Sequence, residues 1–254
     1  MTPRRQDFSG VNLILTRGSI FFRRQGSICI DFSNGRRDYP SVILHKKEQM
    51  KKILILGATG TLGKALVSRL QKADEYSVTL VSRHATQVYE NCGRIKVADC
   101  DATSVGELSD IMPGHDGVVC AISGDELPKV AASLVSAMNM AHSDRLVCMG
   151  AVGIYNEIPD DMDGKDNVAN NPEQIPHRDA ADIIENSGLN FTVLRPGYLL
   201  EGENDDYVLS FKGEQAKGYI STIPSVVDLI VSLINDNMLY ARQSVCITKD
   251  MQAH

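Results

Sequence analysis

The stretch Lys51-Lys52-Ile53-Leu54-Ile55-Leu56-Gly57-Ala58-Thr59-Gly60-Thr61-Leu62-Gly63-Lys64-Ala65-Leu66 constrains this chain of 254 residues more than any other. Residues 53–56 form an unbroken apolar run, the mark of a strand buried on both faces, and a helical pattern with Ala65, Leu66 and Leu70 comes after the glycines. Between them Gly57, Gly60 and Gly63 fall at three-residue spacing, with Thr59 inside the turn. A strand, a tight turn and a helix start in that order suit an anion. Gly57 permits the turn, Gly60 lets backbone approach a pyrophosphate, and Gly63 lets the helix lie against the strand with the amides of Thr61 and Leu62 aimed at the phosphates.

The form G-x-x-G-x-x-G differs from the commoner G-x-G-x-x-G. It resembles the short-chain dehydrogenase/reductase superfamily, particularly its extended and atypical branches. Ser187-Gly188-Leu189-Asn190-Phe191-Thr192-Val193-Leu194-Arg195-Pro196-Gly197 is similar to the second signature of those branches, a strand ending in Arg-Pro-Gly. Together the two segments resemble the NAD(P)H-binding, NmrA-like atypical group from about Met50 to the C-terminus. Strand and helix signals alternate regularly over the same region. They predict one doubly wound α/β domain, a Rossmann fold with a parallel sheet of six or seven strands and a small C-terminal cap on the substrate side.

The exit of the second strand selects the cofactor. An acidic side chain there binds a ribose 2′-hydroxyl, whereas an arginine accommodates a 2′-phosphate. This strand ends Ser82-Arg83-His84 with no carboxylate, and a guanidinium pairs with phosphate through two hydrogen bonds. The reading favours NADP over NAD, with Arg83 as the phosphate ligand; the alternative is a solvated arginine at a strand end. Cys100-Asp101-Ala102-Thr103 resembles the family's Gly-Asp step at the adenine edge, which implies contacts from Asp101 and Ala102. Asp101 could equally cap the next helix. By the same resemblance, Ala121, Ile122 and Ser123, with Gly124 after them, face the ribose and nicotinamide side.

The resemblance fails where catalysis would sit. Active short-chain reductases place a serine or threonine at the exit of the fifth strand, where this chain has Gly150 and Ala151. They also use a Tyr-x-x-x-Lys pair, and none of the eight tyrosines here has a lysine four residues on. Tyr155 and His177 are the nearest candidates for a proton donor. Tyr155 is expected as a packed aromatic and His177 as a solvated residue at a helix start. No catalytic residue is assigned, and no metal-ligand spacing occurs. Two functions stay open. One is an oxidoreductase that moves hydride between NADPH and a small carbonyl, enone or quinone substrate without the usual pair. The other is a non-catalytic NmrA-like sensor that reports the dinucleotide's state to a protein partner.

Charge divides the chain at Met50. Residues 1–49 carry nine lysines and arginines against four acidic residues, a net +5, which leaves −11 for the rest of a chain whose total is −6. A basic arm of this kind could contact nucleic acid or be a transit peptide. Met50 just before the lysines and first strand of the domain favours instead an upstream extension with little fixed structure, with a hairpin over residues 12–31 as the structured alternative. Six cysteines without CxxC spacing read as reduced core residues of a cytoplasmic protein, and no apolar run has the length of a membrane span.

Overall fold

In a computed structural model the described residues are three short strands within 12–29 and residues 50–249 apart from 163 and 205. The chain divides into two units, Met1–Gln49 and Met50–His254. In the first, β1 (Asn12–Thr16), β2 (Ser19–Arg23) and β3 (Ser27–Cys29) form an antiparallel sheet in that order, Thr16 opposite Ser19 and Phe21 opposite Cys29. The rest of residues 1–49, on which the expectation of a poorly ordered basic arm falls, lies outside the described residues.

The second unit runs β4 (Lys51–Leu56), α1 (Thr61–Gln71), β5 (Tyr76–Ser82), β6 (Ile95–Asp99), α2 (Val105–Ile111), β7 (Gly117–Cys120), α3 (Leu127–Ala141) and β8 (Arg145–Met149). It continues with α4 (Ile175–Glu185), β9 (Asn190–Pro196), β10 (Tyr198–Leu200), β11 (Val208–Phe211), β12 (Ile220–Thr222), α5 (Ile223–Asn235) and β13 (Gln243–Thr248). Eight strands make the main sheet in the order β11-β13-β9-β8-β7-β4-β5-β6. Every pairing in it is parallel except β11 with β13. The expected six or seven strands become eight because the short strand over residues 208–211 pairs antiparallel with β13 and extends the sheet. The cap is the two-stranded parallel sheet of β10 and β12.

Alternation within the apolar run of β4 explains the layers. Ile53 and Ile55 point into a core shared with Leu62, Leu66 and Leu70 of α1 and with α5. Leu54 and Leu56 point the other way, into a core shared with Leu108 of α2, Leu134 of α3 and Ile184 of α4. A strand apolar on both faces needs helices on both faces, and the chain supplies them. Fully buried Arg145 ties α5 to the sheet: its guanidinium donates to the Leu233 carbonyl at 2.9 and 3.2 Å and to Thr192 Oγ1 at 3.0 Å. A cation on the last carbonyls of a helix also opposes the helix dipole.

The chain winds from β4 outward to β5 and β6 on one side and from β7 to β8 and β9 on the other. Strand order therefore reverses between β4 and β7, and a crevice opens at their C-terminal ends where the loops beyond them diverge.

Candidate cofactor site

A cavity of about 510 Å³ occupies that crevice. Gly57, at φ +80°, leaves β4 with a backbone conformation that strains other residues, and a Cβ there would stand 2.7 Å from the Ala121 carbonyl oxygen on β7's exit. The Gly60 amide closes the turn on the Gly57 carbonyl at 3.0 Å. A Cβ on Gly63 would overlap the same carbonyl, so glycine there lets α1 pack directly on the turn. At Gly60 the nearest atom to such a Cβ is 3.4 Å away and the residue lines the cavity, leaving backbone exposed on that wall. No side chain among the described residues caps α1, whose first turn also has no acidic residue. Its orphan amides therefore remain available to an anion.

The structure brings Gly57, Thr59, Gly60, Arg83, Asp101, Ala102, Ala121, Ile122 and Ser123 around this one cavity. Thr61, Leu62 and Gly63 form the first turn of α1 behind it. Leu62 and Gly63 are buried, so only their backbone can meet a ligand. Arg83 and His84 come directly after β5 and lie exposed at the rim. Their loop is pinned at several points. The His84 amide donates to Ser82 Oγ at 3.3 Å, Thr86 donates to Asp99 through its amide at 2.9 Å and its hydroxyl at 2.5 Å, and Tyr89 Oη donates to the Ala58 carbonyl at 2.9 Å.

Asp101 is not the cap of α2. Its Oδ1 accepts from the Thr103 amide at 2.9 Å and hydroxyl at 2.8 Å, which lowers its pKa, while Ser104 Oγ accepts from the Glu107 amide as the N-cap. The spacing of Ser104 and Glu107, a serine with a glutamate at the third residue after it, was the overlooked signal. Buried Cys100, in the position of the resembled glycine, has its thiol pushed up to about 11 by burial and then by Glu107 and Asp101. Gly124, expected beside Ser123, lines the cavity, and so do Ser82, His84, Thr103, Asp125 and Glu126. Sequence reasoning missed these last five as site residues, although they lie close to expected ones at or beyond a strand's C-terminal end.

The exits of β8 and β9 are built differently. The Gly150 amide donates to the Leu194 carbonyl at 2.8 Å, and a Cβ there would lie 3.2 Å from Val193 Cγ1 and 3.3 Å from Arg195 Cγ. A larger side chain there would make the Val193 and Arg195 side chains give by a few tenths of an ångström. Half-buried Tyr155 donates its hydroxyl to Glu185 Oε1 at 2.5 Å, and its ring is flanked by Arg178, Arg195 and Lys212 at 4.8, 4.9 and 4.5 Å. Burial first, and the Glu185 hydrogen bond second, raise its pKa well above the ordinary tyrosine value. Arg195 is fully buried, paired with buried Glu157 and donating to Ser244 Oγ at 3.1 Å, while Glu157 Oε2 accepts from the Tyr155 amide at 2.8 Å. Tyr155 does not line the cavity. Neither does His177, which is half-buried on the first turn of α4 and not solvated; burial lowers its pKa, and Nδ1 has no partner among the described residues. The helix start is covered because its first turn packs beside the β8 exit, where Gln174 reaches the Val152 carbonyl and Arg178 the Ile154 carbonyl.

Of the cysteines from residue 50 on, Cys100, Cys120, Cys148 and Cys246 are buried thiols and Cys92 is exposed. Among the described residues no helix is long and apolar enough to cross a membrane.

Comparison with known proteins agrees with this geometry. A sequence family described as NAD(P)H-binding matches residues 57–237. An uncharacterized sugar epimerase of Bacillus subtilis, YhfK, is 27% identical over 198 residues, 73% of this chain and 89% of that protein. A Rossmann-fold NAD(P)-binding family protein from Shigella flexneri superposes with a TM-score of 0.69 at 27% identity, covering 80% of this chain and 95% of the other. A short-chain dehydrogenase/reductase from Veillonella parvula, solved in complex with NADP, reaches 0.72 at 23% identity over 80% and 97% of the two chains, a likeness of fold.

Proposed function

Because the chain belongs to the NAD(P)H-binding family, we propose that it is an NADPH-dependent oxidoreductase acting on a small carbonyl, enone or quinone without the usual tyrosine–lysine pair. The observation that carries this reading is the one cavity lined together by the glycine turn, by Arg83 at its rim and by Ala121, Ile122 and Ser123. The residues fit the cofactor: backbone bare at Gly60, an uncapped helix start for the pyrophosphate, and a guanidinium where β5 ends without a carboxylate. Asp101 and Ala102 hold the adenine side. Bound NADPH supplies the hydride; the protein's share is orientation. The substrate's proton comes from outside the usual pair, since the chain has no Tyr-x-x-x-Lys and Tyr155 is committed to Glu185.

That same commitment favours a second reading, an NmrA-like dinucleotide sensor acting through a protein partner. One experiment separates them: quinones, aldehydes and enones offered to the purified protein with NADPH, its consumption monitored by absorbance. Turnover with matching product formation supports the oxidoreductase. Tight NADPH binding with no turnover on any member supports the sensor.

A further inference from the structure

We infer that His84 is a second ligand of the cofactor's 2′-phosphate, engaged when its imidazole is protonated, so that discrimination between NADPH and NADH varies with pH. The inference rests on the NADPH reading of the site. Arg83 and His84 are consecutive, both exposed and both on the cavity wall. The loop that carries them is held on each side, by the Ser82 hydroxyl on the His84 amide and by buried Ala85 and the Thr86–Asp99 hydrogen bonds just after. Both side chains line the one cavity, so a phosphate seated on Arg83 lies in a cavity that the His84 imidazole also borders.

The charges facing this position come from several elements. Asp99 at the end of β6 interacts with His84, and Asp101 beyond it interacts with Arg83. Both carboxylates accept hydrogen bonds, from Thr86 and Thr103 respectively, which hold their pKa values below the usual range, so both stay ionised through the pH range of interest. Asp125 and Glu126 line the cavity from the loop before α3. Carboxylates of this kind keep their charge between about pH 6.5 and 8.5; histidine is the side-chain type that changes it. The 2′-phosphate also titrates, with a second pKa of about 6, and its protonation works against binding at lower pH. The effect of His84 is therefore the difference between wild type and His84→Gln.

The experiment measures Kd for NADPH and for NADH by fluorescence titration at about pH 8.5, 7.5 and 6.5, spanning the histidine range, in wild type, His84→Gln and Arg83→Ala. Contacts common to both cofactors cancel in the ratio of the two constants. In wild type, preference for NADPH should rise about three- to fivefold from the highest pH to the lowest, the size expected of an exposed charge-assisted contact. In His84→Gln it should stay flat or fall. A ratio that follows pH in the same way in wild type and in the glutamine variant overturns the role of His84 while leaving the Arg83 assignment standing. Equal affinities for the two cofactors at every pH, unaltered by Arg83→Ala, overturn the NADPH reading and the inference with it. An unchanged melting temperature of His84→Gln establishes that the exposed substitution leaves the fold intact.

Discussion

Between β4 and β7 the upper edge of the sheet carries glycine, alanine and backbone, with amides and a guanidinium left facing an open cavity. At the neighbouring exits of β8 and β9 the edge carries arginine, glutamate and tyrosine, and these groups pair with one another: Arg195 with Glu157, Tyr155 with Glu185, Glu185 with Lys212. One region keeps its donors for a ligand, and the other uses them to lock the chain. A polar residue near the C-terminal end of a strand is thus no guide to chemistry until its partners are known. Buried Arg195 belongs to the Arg-Pro-Gly signature yet serves here as the post to which the β8 exit is tied.

Breaking the locked region should give the largest effect. Glu157→Ala leaves the buried Arg195 guanidinium without its carboxylate and should cost about 3–5 kcal/mol in denaturant unfolding; a loss below about 1 kcal/mol would show that the pair is not what holds the exit. In the open region Gly60→Val should leave unfolding free energy nearly unchanged while weakening NADPH about thirtyfold, on the order of 2 kcal/mol, because the side chain fills the cavity wall. If instead stability falls and binding persists, Gly60 faces protein and not ligand. Arg83→Ala should weaken NADPH roughly tenfold and leave NADH unaltered, the cost of one exposed charge-assisted contact. Equal losses for both cofactors would move Arg83 off the 2′-phosphate.

The smallest effect sharpens the contrast. Tyr155→Phe should lower any turnover by no more than about tenfold, on the order of 1.4 kcal/mol of barrier, and leave NADPH binding intact. Its pKa is raised, so the tyrosine keeps its proton throughout the neutral range, and its contribution to stability is complete below about pH 10 and lost only as pH rises beyond. A thousandfold loss of turnover with unchanged affinity would make Tyr155 a catalytic acid and erase the distinction between the two regions.

The glycine turn was legible because everything it needs is local: an apolar run, three glycines and a helix start within residues 51–66 specify both the buried strand and the amides at its end. The doubly wound fold was readable from the same kind of short-range pattern, repeated along the chain. Cap and edge were harder to tell apart. Residues 208–211 look like any short strand, and only pairing with residues 245–248, far along the chain, makes them part of the main sheet.

The sequence by itself determined that this chain winds a parallel sheet around a glycine turn, and it marked Arg83 by the absence of an acid beside it. Tertiary structure alone decided which polar residues are available. His177 is half-buried, Tyr155 is held by the distant Glu185, and Arg83 and His84 stand at the rim of the cavity that Ser123 also lines. The physical reason is range. Strand, turn and helix are set by neighbours along the chain, whereas burial and hydrogen-bond partnership are set by residues that meet only after the sheet has closed.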